Sequence, residues 1–81
     1  MKGAYHIRGK VVLMNGTKLR RMREQEGRTL EDVATHCGVS RQAVAQWEEG
    51  ATSPRDDTMD QLVGLLGMSR MIQAGALEVF R

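Results

Sequence analysis

The stretch that decides the fold runs from Thr29 to Glu49 and reads TLEDVATHCGVSRQAVAQWEE. Its first half keeps apolar residues at the i, i+3, i+4, i+7 spacing of one helix face, namely Leu30, Val33, Ala34 and Cys37. Thr29 stands at the N-cap position, and Asp32 follows three residues later as in a capping box. This half therefore predicts a helix that starts at Leu30 and ends before Gly38.

The second half predicts another helix directly after a tight turn. Gly38 and Val39 form the turn, and Ser40 caps a helix whose inward residues are Ala43, Val44 and Trp47. Two helices joined by a short turn containing glycine have the geometry that reads double-stranded DNA. At about 100° per residue, the outward face of the second helix carries Arg41, Gln42, Ala45, Gln46 and Glu49.

The outward residues suit the edges of base pairs. Arginine can pair with guanine, glutamine with adenine, and an alanine methyl can pack against the methyl of thymine. Arg41 and Gln42 lie at the helix N-terminus, the end that usually enters the major groove, whereas Glu49 is expected to face away from DNA at the far end. The same pattern also fits the solvated polar face of an ordinary amphipathic helix.

The apolar spacing elsewhere predicts more helices and an all-α bundle. A first helix has Thr17 as its N-cap, carries Leu19 and Met22, and ends near Gly27. A fourth helix follows Pro54 and ends at Gly67, with its inward residues at helical spacing: Met59, Leu62, Val63 and Leu66. Residues 69–73 are a candidate fifth helix.

Both ends of the chain have strand-like patterns. Tyr5 and Ile7 alternate with polar residues before the β-branched run Val11-Val12-Leu13, and Leu77 and Val79 flank Glu78. Short terminal β-strands are therefore expected. The expected organisation is an N-terminal arm or strand over residues 1–14, a DNA-binding domain over 15–73, and a C-terminal tail or dimerisation strand over 74–81.

Composition narrows the functional classes. A net charge of +2 permits a nucleic-acid partner without requiring one. The basic segment with Lys18, Arg20, Arg21 and Arg23 fits a phosphate-facing edge or a solvated helix face. A single cysteine excludes an internal disulfide, and without a signal-type apolar segment a cytoplasmic location is expected. No run approaches the roughly 18 apolar residues of a membrane span.

The sequence gives little support for an active site or a metal site. His36 and Cys37 are adjacent, so they project about 100° apart on a helix, and no second ligand pair has metal-site spacing. Cys37 continues an apolar stripe, and the acidic residues Asp56, Asp57 and Asp60 suit the start of a helix. We therefore predict no enzymatic activity, no metal and no cofactor.

The run TLEDVATHCGVSRQAVAQWEEGATSPRDDTMDQLVGLLGMS resembles the phage repressor/Cro-like (XRE-type) helix-turn-helix family. Several features at fixed offsets carry the resemblance, which covers about residues 15–69: Ala34, Gly38-Val39-Ser40, Val44, Trp47-Glu48, Gly50, Pro54 and the Leu62…Leu66-Gly67 end. The resemblance implies a four- to five-helix lambda-repressor-like bundle that binds operator DNA as a two-fold dimer.

The resemblance also implies roles for individual residues. The residues at base-reading positions are Arg41, Gln42, Ala45 and Gln46, and those in the phosphate-binding loop are Thr52, Ser53 and Arg55. Arg23 and Glu48 match positions that often form a structural pair. Leu30 stands where many members have a phosphate-binding glutamine, so only backbone N–H groups remain there for an anion. Arg28 replaces an apolar residue and is expected to be exposed and available to a phosphate, as is Lys18.

The predicted function is a sequence-specific transcriptional regulator located with the nucleoid in the cytoplasm. It is expected to be a repressor of phage, plasmid or mobile-element type, binding as a homodimer to a palindromic operator with half-sites about 34 Å apart. The alternatives are an antitoxin that binds a toxin and autoregulates its operon, a restriction–modification controller, and a helix-turn-helix that only binds protein. Binding to a protein partner, either a toxin or a polymerase, is a further possibility that the sequence leaves open.

The dimer contacts are predicted from apolar residues near the C-terminus. Leu65, Met68, Met71 and Ile72 are expected to be exposed after the fourth helix. Residues 77–80, with Leu77, Val79 and Phe80, are expected to form a strand that pairs with its two-fold mate or with Val11–Leu13, because an open edge invites aggregation. Frayed termini are the alternative.

Overall fold

Residues 4–80, which the computed structural model describes, form five helices and a three-stranded antiparallel sheet. In chain order the elements are β1 (Ala4–Ile7), β2 (Lys10–Met14), α1 (Gly16–Gln25), α2 (Leu30–Cys37), α3 (Arg41–Glu49), α4 (Asp56–Leu66), α5 (Met68–Gln73) and β3 (Leu77–Phe80). The helical bundle and the terminal strands agree with expectation. A strictly all-α class is wrong, because the strands pair into one sheet.

The sheet joins the two ends of the chain. β2 is the central strand, with β1 and β3 antiparallel on either side, so that Val12 lies opposite both Tyr5 and Val79. Of the two pairings considered for residues 77–80, the fold contains the one with residues 11–14. Alternation along the strands buries Tyr5, Ile7, Val12 and Leu77 against the helices.

The helix ends follow side-chain capping. The predicted capping box of α2 is confirmed, since the Thr29 hydroxyl accepts from the Asp32 N–H at 3.0 Å and the Thr29 N–H donates to the Asp32 carboxylate at 2.8 Å. Thr17 as the N-cap of α1 is wrong. Asn15 takes that place, with its side-chain oxygen accepting from the Lys18 N–H at 3.0 Å. The Asn15 N–H also donates to the Ala76 carbonyl at 2.8 Å, so α1 starts where the sheet ends.

The expected exposure of the apolar residues near the C-terminus is wrong for Met68 and Met71, and Leu77 of β3 is buried with them. Met68 is 6% exposed, and Met71 and Leu77 are fully buried, because α5 packs between α4 and β3. Leu65, Ile72 and Val79 are half-buried against the same core. Phe80 is the exposed one, at 53%.

The start of α1 lies directly on the end of α3. A Cβ atom at Gly16 would overlap the Trp47 carbonyl oxygen and lie 2.7 Å from the carbonyl oxygen of Glu48. The obstacle is backbone, which cannot swing aside as a flexible side chain would. Only glycine therefore allows the two helices to approach this closely.

A buried ion pair joins the same two helices. Arg23 of α1 donates through Nε to Glu48 Oε2 at 2.7 Å and through Nη2 to Oε1 at 3.1 Å, and its Nη1 donates to the Arg28 carbonyl at 2.9 Å. Arg23 and Glu48 are each only 8% exposed. The hydrogen bonds to Glu48 raise the pKa of Arg23 above its ordinary value, which keeps the guanidinium charged. The pair fixes α3 to α1 and to the loop before α2.

Replacing Gly16 by alanine tests the close approach. We expect Gly16→Ala to lower the free energy of unfolding by about 1–3 kcal/mol, because the added methyl forces backbone apart. Gly64→Ala is the matched control, since Gly64 lies in α4 with nothing within 4 Å of an added Cβ. That change is expected to stabilise by up to about 1 kcal/mol. Urea denaturation measures both, and a Gly16→Ala protein as stable as the Gly64→Ala protein would contradict the packing.

Replacing Glu48 by alanine tests the ion pair. Glu48→Ala leaves a buried guanidinium without its carboxylate partner, so we expect the free energy of unfolding to fall by about 3–5 kcal/mol. The double variant Arg23→Met/Glu48→Leu removes both charges and is expected to recover most of that loss. Glu24→Ala is the control, because the Arg20–Glu24 pair is 3.4 Å apart and more than half exposed. Equal losses from Glu48→Ala and Glu24→Ala would refute this account.

Candidate nucleic-acid interface

The turn between α2 and α3 sets the angle of α3. Gly38 ends α2 in the left-handed region at φ 68°, where a side chain would be strained, and the Val39 N–H donates back to the Ala34 carbonyl at 3.0 Å. Ser40 then caps α3 by accepting from the Ala43 N–H at 3.1 Å. Val44 and Trp47 are buried. One side of α3 is therefore fixed in the core and the other is presented outward.

The structure brings the predicted base-reading residues together on that outward side. Arg41 and Gln42 are exposed in the first turn of α3, and Ala45 and Gln46 are half-buried one turn later. We call these four residues the recognition strip. Glu49 is exposed at the opposite end of the helix. The strip thus combines a guanidinium, two amides and a methyl group on one rigid surface.

The loop after α3 is held in place by the sheet. Thr52, Ser53 and Arg55 are exposed, whereas Pro54 between them is buried, and its carbonyl accepts a hydrogen bond from the Tyr5 hydroxyl. Burial is the main reason that the pKa of Tyr5 is raised above its ordinary value. This contact joins positions 49 residues apart. Sequence reasoning misses it because nothing local to either segment signals the contact.

The start of α2 lies beside the recognition strip. Leu30 is half-buried and shares a cleft with Ala45 of the strip, and this cleft is also lined by Arg20, Arg23, Glu48 and Glu49. Thr29 occupies the Asp32 N–H, so the N–H groups of Leu30 and Glu31 remain without a helical acceptor. The hydrogen bonds from the Thr29 backbone and side chain hold the pKa of Asp32 below its usual value. The first turn of α2 is accordingly acidic and offers an anion only two amides.

An exposed ion pair connects α2 to the strip. Arg41 Nε lies 3.5 Å from a Glu31 carboxylate oxygen, with side chains 70% and 67% exposed. An exposed pair of this kind contributes little stability. It does keep the Arg41 guanidinium near the start of α2. The sequence places Glu31 and Arg41 on the two helices that flank the predicted turn. Whether their side chains pair depends on the angle between those helices, which the sequence does not give.

Two predicted phosphate contacts lie apart from the strip. The Lys18 side chain packs over Gly75, where an added Cβ would lie 2.7 Å from Lys18 Cδ, on the segment that leads into β3. Arg28 is half-buried, contrary to the expected exposure, because its Nε lies 3.3 Å from a Glu26 oxygen. Glu26 also pairs with Arg70 at 2.9 Å. The structure does not bring either residue together with the recognition strip.

The described residues offer neither a metal-type cluster nor an activated thiol. Across residues 4–80, no three or more His, Cys, Asp or Glu side chains gather as a metal site would require. Burial raises the pKa of the Cys37 thiol above its ordinary value, which disfavours a reactive thiolate. In the part of the chain that the structure describes, the helices are all too short or too polar to cross a bilayer.

The comparisons with known proteins agree with this geometry. A family model described as a helix-turn-helix domain matches residues 16–71, from the first residue of α1 into α5, which is more than half of the chain. Neither the curated proteins nor the solved structures contain a match. The match includes α2, the turn and α3 together with the helices that support them. The chain therefore belongs to the helix-turn-helix domain family, whose fold is that of a DNA-binding regulator.

Proposed function

We propose that this protein is a sequence-specific transcriptional repressor that binds a palindromic operator as a homodimer. The observation that carries the proposal is the recognition strip, which places base-pairing side chains at the N-terminus of a helix fixed on its other side. Occupying a promoter requires no further chemistry, and residues 15–73 supply the surface for it. We assign residues 74–80, which end in β3, to the sheet rather than to that surface.

The strip would read bases from the major groove. Arg41 would pair bidentately with guanine and Gln42 with adenine, each contributing about 1–3 kcal/mol of discrimination. The Ala45 methyl beside half-buried Leu30 makes an apolar surface suited to the methyl group of thymine. Gln46, half-buried one turn after Gln42, is the fourth residue proposed to meet a base edge.

Phosphate contacts would flank the strip on both sides. The exposed Thr52, Ser53 and Arg55 lie beyond the C-terminal end of α3, and the start of α2, where Glu31 pairs with Arg41, lies at its other end. Leu30 removes the side-chain contact that glutamine gives many relatives, so the loop takes a larger share of the phosphate binding. Contacts on both flanks would fix the register of α3 in the groove.

Selection from a pool of random duplexes tests the proposal, because it needs no knowledge of the operator. We expect the selected sequences to share an inverted repeat with half-site centres about 34 Å apart. Affinity for the selected duplex should fall steeply as salt rises, since phosphate contacts release counterions. Failure to enrich any motif, or binding that is unchanged between 50 and 200 mM salt, roughly the range over which such contacts weaken, would overturn it.

Replacing Gln42 by alanine then tests the strip itself. Gln42→Ala is expected to weaken binding to the selected duplex about tenfold, which is within the range for one base contact. Binding to an unrelated duplex should not change, because the phosphate contacts remain. Gln61→Ala, at an exposed position of α4 away from the strip, is the matched control and should bind as the parent protein does. Equal losses on both duplexes would assign Gln42 to the phosphate backbone instead.

A further inference from the structure

The sheet covers the helices with one face and leaves the other face open. Tyr5, Ile7, Val12 and Leu77 are directed into the core, so the residues that alternate with them lie on the opposite face. The strand register places six residues there, which we call the outer patch: Ala4, His6, Val11, Leu13, Glu78 and Phe80. None of these side chains is fully buried.

The centre of the outer patch is apolar. Val11 and Leu13 lie on the central strand and are half-buried, and Phe80 lies directly opposite Val11 on β3. At 53% exposure, Phe80 is the exposed large apolar side chain among the described residues. Single exposed apolar residues are ordinary on protein surfaces, but adjoining ones on one sheet face indicate an interaction site.

The polar residues of the patch lie at opposite corners. His6 is on β1, in the cross-strand row with Val11 and Phe80, whereas Glu78 is on β3, in the row with Leu13 and Ala4. Asn15 Nδ2 lies 3.4 Å from the Glu78 carboxylate, which keeps that group at its corner. The patch therefore has the imidazole of His6 at one end of a diagonal and the carboxylate of Glu78 at the other.

This arrangement is complementary to itself. A two-fold axis in the plane of contact, perpendicular to that diagonal, exchanges the two corners. His6 of each copy then faces Glu78 of the second copy, and the apolar centres stack on each other. An unrelated partner would need to reproduce this diagonal, whereas a second copy has it by symmetry.

We propose that the outer patch is the dimer interface, with two copies packed sheet face against sheet face. This inference rests on the homodimer of the proposed function and replaces the α5 surface as its location. Met68 and Met71 of that surface are buried in the monomer core, so they have no exposed area to offer a partner. Leu65 and Ile72 are partly buried against the same core, which leaves them little exposed area.

The size of the patch sets the strength of the dimer. Strands lie about 4.8 Å apart and same-face residues about 7 Å apart, so the side-chain origins span roughly 10 by 7 Å. This is well below the ~800 Å² per partner of a standard stable interface. A contact this small predicts that copies of the free protein associate only weakly. When two copies bind adjacent half-sites on one DNA duplex, the local concentration of each copy near the other rises, and this favours the dimer.

The interface is connected to the recognition helix. β1 contributes His6 and Ala4 to the outer face, and its inward residue Tyr5 bonds to the Pro54 carbonyl in the loop after α3. Packing two sheets together therefore fixes the orientation of both loops and of the helices that precede them.

Sedimentation equilibrium of the full chain, from about 1 µM to about 1 mM and without DNA, tests the interface. The parent protein should pass from monomer to dimer across this range. Leu13→Asp places a charge at the centre of the patch and should weaken association at least tenfold. Ser69→Asp adds the same charge at an exposed position of α5 and should leave association unchanged. Because Leu13 is on the central strand, pairing through the free edge of β3 would survive Leu13→Asp.

Circular dichroism checks that each variant folds. If Leu13→Asp does not fold, Phe80→Asp takes its place in the test. Phe80 is more than half exposed at the end of a strand, so its replacement leaves the core intact. A charge reversal adds an independent test: His6→Glu should weaken the dimer, and adding Glu78→Lys should restore it. Restoration requires the two residues to meet across the interface.

Binding to a duplex with a single half-site separates this inference from the proposed function. Monomeric Phe80→Asp protein that keeps parental half-site affinity supports the interface. A parent protein that stays monomeric to 1 mM, or a dimer that survives Phe80→Asp but not Ser69→Asp, overturns the interface and leaves DNA binding untouched. A dimer lost on Phe80→Asp in a protein that binds no duplex overturns the proposed function alone.

Discussion

The contact between α1 and the end of α3 is the constraint on which the rest of the structure depends. Gly16 lets the α1 backbone rest on the carbonyl groups of Trp47 and Glu48, and the Arg23–Glu48 pair fixes the same junction about two turns later along α1. A buried ion pair gains little net stability over apolar side chains of the same size, but its hydrogen bonds are directional. The junction therefore determines the angle of α3 more than it adds to the free energy of folding.

Two contacts link other elements to the proposed DNA surface around α3. The exposed Glu31–Arg41 pair lies at the first residue of α3, and the Tyr5–Pro54 hydrogen bond ties the loop that follows α3 to the sheet. The Asn15–Ala76 hydrogen bond ties α1 to the strand that closes the sheet. A rigid recognition helix lowers the ordering cost of binding, because little conformational freedom is left to lose when DNA is bound.

Local signals determined how much could be predicted from the sequence. Thr29, Ser40, Gly38 and Gly50 define α2 and α3 because capping and left-handed turns depend on neighbouring residues, and the outward set of α3 follows from helical periodicity alone. The position of Arg28, the burial of Met71 and the Tyr5–Pro54 contact depend on how separate elements pack, which no local pattern encodes. Asn15 is different: asparagine is a better N-cap than threonine, so a local signal for it was present. The backbone bond from Asn15 to Ala76 holds the same residue at the end of the sheet.

A backbone amide NMR titration of the full chain with a duplex obtained by selection tests directly whether the outward side of α3 reads DNA. We expect the largest shift changes at Arg41 and Gln42, with further changes over residues 52–55 and at the start of α2. A scrambled duplex of equal length should affect the loop more than the strip. Changes confined to α4 and α5, with the amides of Arg41 and Gln42 unmoved by the selected duplex, would contradict a DNA-reading role for that side of α3.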